Sequence, residues 1–215
     1  MKKYLGFIFS ILVTANFAFA GASDSGAKSL LKSAELGNQK TFQKALNTKG
    51  IDINYQDENG MTALMMTALG NNKSMAKALI QRKANLEIKN NVGDTALAVA
   101  ISNGHFQVAK ELIQSGANTD VHVAGEKEDT LLIRAATQDL ATAQLLLEKN
   151  SALINKTNKL GETALMKSLD FGNLDIAKML IKKGADTQLK STKGKTALDF
   201  AKELNDPEAL KLLAK

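Results

Sequence analysis

One phrase recurs along this chain: Thr-Ala-Leu, or the variant Thr-Leu-Leu, beginning at Thr62, Thr95, Thr130, Thr163 and Thr196. The intervals between the threonines are 33, 35, 33 and 33 residues. A fixed period in this range is the signature of a solenoid, in which each copy is one supersecondary unit. No unit can bury its own apolar face, so neighbours must stack to form a continuous core. The chain of 215 residues is therefore read as one stack of units, not as two globular domains.

Within each copy the residues alternate between helix and turn signals. A glycine stands two places before four of the threonines, at Gly60, Gly93, Gly161 and Gly194. The threonine hydroxyl is placed to cap the free backbone N–H groups of a following short helix. Small residues on that helix, such as Ala100 and Ala135-Ala136, let neighbouring helices approach closely. Gly104 and Gly172 then mark a turn, because glycine readily takes the left-handed conformation that ends a helix. A second helix follows with an apolar stripe carried by Leu79-Ile80, Leu112-Ile113, Leu146-Leu147 and Leu180-Ile181. Aromatic residues make up only 5% of the chain, with no Trp and a single Pro, Pro207. That composition suits a helical core filled by small and aliphatic side chains. The expected fold class is all-α, a solenoid of helix-turn-helix units joined by β-hairpin-like loops.

The phrases Gly93-Asp94-Thr95-Ala96-Leu97, Asn103-Gly104-His105 and Gly116-Ala117-Asn118 resemble the ankyrin repeat. So do Gly161-Glu162-Thr163-Ala164-Leu165, Gly172-Asn173 and Gly184-Ala185-Asp186. The likeness extends over 26–215, as units near 57–89, 90–124, 125–157 and 158–190 between an N-terminal cap at 26–56 and a C-terminal cap at 191–215. Every copy lacks the family's proline after the threonine. The family's histidine in that phrase is Met65, Ala98, Ile133, Met166 or Asp199 here. Unit 4 departs furthest. Its hairpin, Ala124-Gly125-Glu126-Lys127-Glu128-Asp129, lengthens the 35-residue interval and lacks the usual glycine, and its inter-helix turn, Thr137-Gln138-Asp139, has lost a residue. Two readings stand for that hairpin: drift in a tolerant loop, or a modified finger that reaches a partner.

The first twenty residues carry a second message. Lys2 and Lys3 form a positive start, Leu5 to Val13 an apolar core, and Ala18-Phe19-Ala20 a small-x-small cleavage site. The apolar run is shorter than the ~20 residues a membrane span needs. Segment 1–20 is thus expected to be a cleaved signal peptide, leaving Gly21 as the first residue and 21–25 as a disordered leader. No Cys is present to carry a lipid anchor or a disulfide. The expected product is exported, periplasmic, free of a membrane anchor and monomeric when unbound.

Catalytic chemistry is sparse. His105 falls where the ankyrin pattern itself carries His, so its expected role is structural. His122 lies near Asp120, Glu126, Glu128 and Asp129, but no second His and no Cys support a metal site. No nucleophile motif or phosphate-binding glycine loop is present. The net charge is +6, or +4 without Lys2 and Lys3, and Arg82 and Arg134 are the only arginines. Scattered lysines without clustered arginine or aromatics do not describe a nucleic-acid binder. The chain is expected to be neither an enzyme nor a cofactor carrier.

A protein that acts by contact remains. The resemblance implies that hairpin tips and first helices form the binding face. Mapped by register, the partner-binding candidates are Met61, Leu69, Val92, Asp94, Asn103, Lys127, Asp129, Gln138, Leu160, Glu162 and Phe171. Met61, Leu69, Val92, Leu160 and Phe171 are apolar where the pattern predicts exposure, as at the centre of an interface; Lys127, Lys193 and Lys195 suit the steering of an acidic partner. The chain is similar to secreted bacterial ankyrin proteins, some of which protect their own cell by blocking peptidoglycan-cutting enzymes. The resemblance thus implies an inhibitor or immunity protein for a cell-wall hydrolase. A stabilising partner of a periplasmic oxidative-defence enzyme and a secreted effector for host proteins are the alternatives.

Overall fold

A computed structural model describes residues 25–214. The expected signal peptide and residues 21–24 of the expected leader lie outside them. Ser25, assigned above to that leader, instead opens the first helix.

Twelve α-helices are found among the described residues, most of them seven to ten residues long. Isolated helices of that length are marginal in water, so their order must come from packing. They run α1 (Ser25–Glu35), α2 (Gln39–Leu46), α3 (Ala63–Leu69), α4 (Lys73–Gln81), α5 (Ala96–Ser102) and α6 (Phe106–Gln114). Then follow α7 (Leu131–Ala136), α8 (Leu140–Lys149), α9 (Ala164–Asp170), α10 (Leu174–Lys182), α11 (Ala197–Leu204) and α12 (Pro207–Leu213). Each odd helix pairs with the even helix after it. Odd helices also stack on odd ones and even on even, giving two layers of helices.

The repeated threonine earns its place at the start of the odd helices. Thr62, Thr95, Thr130 and Thr163 each accept a hydrogen bond from the amide three residues on. In the last unit the arrangement is inverted: the Asp199 carboxylate accepts from both the amide and the hydroxyl of Thr196. Two residues after the threonines, Leu64, Leu97, Leu132 and Leu165 are essentially inaccessible, whereas Leu198 is 37% exposed. Among the described residues no further odd helix stacks on α11 over Leu198. Lys202 stands there where Ile101, Ala136 and Leu169 fill the interior units, which makes the end face partly polar. Leu79, Leu112, Leu146 and Leu180 are fully buried on the even helices, so one core runs through the stack.

Each unit from the second to the sixth begins with a short hairpin, here called a finger. Four fingers are closed by a bond from the first residue's amide to the carbonyl four residues on: Asp57 to Met61, Asn90 to Asp94, Asn158 to Glu162 and Ser191 to Lys195. The fifth, in unit 4, is closed by Val123 to Asp129 and is two residues longer.

Candidate functional site

Fingers touch one another along the stack through a repeated backbone bond. The amide of Asn91 donates to the carbonyl of Asn59, that of Lys159 to Lys127, and that of Thr192 to Leu160. The acceptor is always three residues before the threonine. Val92 holds that position in unit 3, and among the described residues its carbonyl receives no bond from unit 4. The inserted residues displace the donor, and the Asp94 carboxylate takes over by accepting from the Ala124 amide at 2.7 Å. Burial pushes the Asp94 carboxyl above its ordinary range; the Ala124 bond and the Arg134 charge pull the other way without cancelling it.

The glycines record the same interruption. A Cβ at Gly60 would lie 2.7 Å from Asn91 Oδ1 and 2.8 Å from the Asn91 amide, and one at Gly161 would lie 3.0 Å from the Thr192 amide. At Gly93 the same atom meets nothing within 4 Å. The space it would enter belongs to a notch of about 600 Å³ between the fingers of units 3 and 4. A smaller hollow of about 410 Å³ lies between the inter-helix turns of units 4 and 5, beside Gln138. Both irregularities of unit 4, the longer finger and the shorter turn, thus have open space next to them.

The structure sorts the partner-binding candidates into three groups. Val92 and Phe171 are the most exposed, at 68% and 60%, with Leu69 at 41%; Asn103, Lys127 and Gln138 are also exposed. Met61 and Leu160 are half-buried, Met61 packing against the core. The acidic candidates are committed internally. Asp129, expected at the surface, is buried: it accepts from Asn158 Nδ2 at 2.8 Å and lies 3.6 Å from Arg134 Nε. Glu162 accepts from the same Asn158 amide group and faces Lys167. Asp94 is held by Ala124 as described. These carboxylates serve the joints between fingers and odd helices, so Asp129 is withdrawn from the contact surface.

Leu69 also sits one position earlier than its mapping assumed. Gly70 ends α3 with φ −89, and Asn71 takes the left-handed conformation that Gly104 and Gly172 take in their units. Gly70, not Leu69, is the equivalent of Asn103 and Phe171.

Three features were missed in the sequence. Lys167 is buried in α9, paired with Asp170, and its ammonium lies 5.1 Å from the Phe171 ring centroid. The exposed Phe171 is thus half of a cation–π pair as well as an apolar surface. Arg134 is the second, its Nε buried without a hydrogen bond while it neighbours Asp129. The signal for both was an acid before the threonine and a cation five residues later: Asp129 with Arg134, Glu162 with Lys167. The third is the use of Lys195, expected to steer a partner, which instead binds Glu203 and lies 5.6 Å over Phe200.

His105 Nδ1 is 2.8 Å from the Ala68 carbonyl and ties unit 3 to unit 2, a structural position. Among the described residues no group of three or more His, Asp or Glu is placed to hold a metal ion. Nor is any helix there long and apolar enough to cross a membrane.

Comparison with known proteins follows the same geometry. The family described as ankyrin repeats (3 copies) matches residues 30–123 and 131–215, leaving out most of the long finger. The rat ankyrin repeat and SAM domain-containing protein 6 is 39% identical over 94 residues, which is 43% of this chain and 11% of that protein. The chain thus spans about a tenth of that curated relative's length. Among solved structures, a chain in the complex of a predatory endopeptidase from Bdellovibrio bacteriovorus with an immunity protein is 48% identical. It matches with a TM-score of 0.80, covering 87% of this chain and 97% of that one. An ankyrin repeat domain from Acinetobacter baumannii is 29% identical with a TM-score of 0.77, over 86% and 95% of the two chains.

Proposed function

The chain belongs to the ankyrin-repeat family, and from that premise we propose that it is a periplasmic inhibitor, of the immunity type, directed at a peptidoglycan hydrolase. The observation that carries this reading is the 48% identity, over nearly the whole of the matched chain, to a structure described as an endopeptidase with its immunity protein. Three physical features support it. The stack holds its backbone in place before any partner arrives, which lowers the ordering cost of binding. Val92, Leu69 and Phe171 offer exposed apolar contact among polar neighbours. The first twenty residues supply an export signal for the compartment where such enzymes work.

The test is affinity capture from periplasm with the exported protein as bait, followed by hydrolase assay. A stoichiometric complex and loss of wall-cutting activity are expected, and the bait recovered from periplasm should begin at Gly21. Phe171→Glu should weaken the complex by ~2 kcal/mol or more, as for a buried interface residue turned into a charge. Its circular dichroism should stay unchanged. Capture of no wall enzyme refutes the target, and equal inhibition by both baits refutes the role of Phe171.

A further inference from the structure

In units 2, 3 and 4 the residue just before the threonine accepts a hydrogen bond from the next finger. Met61 Sδ accepts from Asn90 Nδ2 at 3.5 Å, the Asp94 carboxylate from the Ala124 amide at 2.7 Å, and Asp129 Oδ1 from Asn158 Nδ2 at 2.8 Å. Met61 and Asp129 meet the same donor, because Asn90 and Asn158 each open their finger. Only the acceptor atom differs. A thioether sulfur is a weak acceptor, whereas a carboxylate oxygen is a strong one. The bond from Asn90 is the weak copy of the bond from Asn158.

Asn90 matters to more than this contact. Its Oδ1 accepts from the amides of Val92 and Asp94, and its backbone amide closes finger 3 on the Asp94 carbonyl. Whatever fixes Asn90 Nδ2 thus fixes the finger that carries Val92 and the Asp94 carboxylate. Met61 is also within reach of solvent. Of the six methionines among the described residues, Met65, Met75, Met166 and Met179 are buried, and Met61 and Met66 are half-buried. These two stand where unit 4 has Asp129 with Arg134 and unit 5 has Glu162 with Lys167. Those ion pairs lie 3.6 Å and 3.9 Å apart. The fold therefore accepts a polar group at the position that Met61 holds.

We propose that Met61 is an oxidation site for peroxides, and that its sulfoxide tightens the joint between units 2 and 3. The sulfur attacks one oxygen of hydrogen peroxide, and an S–O bond forms as the O–O bond breaks. The transferred oxygen yields its proton to the departing hydroxide, which leaves as water. Sulfur gives up an electron pair and the peroxide takes it. The sulfoxide oxygen then meets Asn90 Nδ2 as the Asp129 oxygen meets Asn158 Nδ2, and the flexible methionine side chain retracts to make room for the added atom. Oxidation of a methionine ordinarily disrupts the packing around it. Here it supplies the oxygen acceptor that the joint between units 4 and 5 has from the start, and it stiffens finger 3.

The test uses the full chain carrying Met66→Leu, so that Met61 is the one half-buried methionine left among the described residues. Hydrogen peroxide is added to the folded protein and its tryptic peptides are weighed. Met61 is expected to gain one oxygen, while Met65, Met75, Met166 and Met179 stay reduced until urea unfolds the chain. In the oxidised protein the side-chain amide resonances of Asn90 should move. Hydrogen exchange at the Asn91 and Asp94 amides should slow by at least about twofold, the small end of what one net hydrogen bond contributes. Met61→Gln, which offers a carbonyl oxygen at similar reach, should reproduce the slower exchange without peroxide. Met61→Leu, which offers no acceptor, should show no response to peroxide at those amides. The inference is overturned if Met61 oxidises no faster than the buried methionines, or if exchange at Asn91 and Asp94 is unchanged or faster after its oxidation. It is equally overturned by a Met61→Gln protein with unaltered exchange, or by a Met61→Leu protein that responds to peroxide as the parent does.

Discussion

The joint between units 2 and 3 and the joint between units 3 and 4 are built from the same repeat, yet they are held in different ways. At the first, the Asn91 amide reaches Asn59, the Asn91 side chain reaches the Glu58 carbonyl, and Gln56 bridges Gly60 and Lys89. His105 adds a bond from below, to Ala68. At the second, the fingers are linked by the Asp94 carboxylate, with Glu87 holding the Asn118 amide before the finger begins. Helices α5 and α7 also meet over less contact than α3 with α5 or α7 with α9. At the joint with two inserted residues a carboxylate stands in for the backbone-to-backbone bond between fingers, and there is open space beside it. A solenoid tolerates this because each unit answers only to its neighbours.

The comparison breaks first if the core beneath the two joints differs. Leu112 in α6 and Leu146 in α8 are both fully buried. Truncating either to alanine should cost about 2–5 kcal/mol, because both lie in one continuous core. Urea denaturation of Leu112→Ala and Leu146→Ala measures this, and a loss below ~1 kcal/mol for Leu146→Ala alone would mean that the opening reaches the core. The glycines sharpen the contrast at the next scale. Both Gly60 and Gly93 have positive φ, so either alanine variant suffers the left-handed penalty of about 1–2 kcal/mol. Gly60→Ala must also displace the Asn91 backbone, whereas Gly93→Ala enters open space. Gly60→Ala should therefore be the less stable of the two by ~1–3 kcal/mol, the range for overpacking, and equal midpoints would place a contact in the notch.

The smallest effect concerns pH, since only one of the two joints contains a titrating group as its finger-to-finger acceptor. The Asp94 carboxyl is raised above 3.8 by burial, so folding favours its protonated form. Its ionisation costs stability, a cost absent below the unfolded value of 3.8 and fully present above the folded one. Asp94→Asn keeps an oxygen for the Ala124 amide and removes that cost. Relative to wild type, its melting midpoint should be unchanged near about pH 3 and raised at neutral pH; a gain confined to acid would contradict the assignment.

Much of this was legible from spacing. The threonine period located the odd helices, and the threonine hydroxyls cap them as the residue type dictates. The added and deleted residues of unit 4 were countable, and each has a hollow beside it. Their consequence was not countable, because the loss of the Val92 bond depends on where the displaced amide goes in space. The fate of Asp129 was hidden for a related reason. A charge on a hairpin reads as exposed until its partners Asn158 and Arg134, brought in from a neighbouring finger and from α7, are placed around it. Leu69 was misplaced because a Gly-Asn pair offers two residues able to take the left-handed turn, and Asn71 rather than Gly70 takes it. Phe171 was noticed for its exposure, while the lysine beneath it passed as an ordinary surface charge.

The weakened joint has a consequence for how the molecule comes apart. In a linear array governed by nearest-neighbour coupling, the boundary between melted and intact segments settles where the coupling is least. Here that place divides the array into two halves of three units each, about the smallest number that sustains a stack. Partial opening should therefore halve the molecule at Ala124 rather than fray it evenly from its ends. A ligand seated across that line would act as a clamp, coupling its own occupancy to the cooperativity of the whole array.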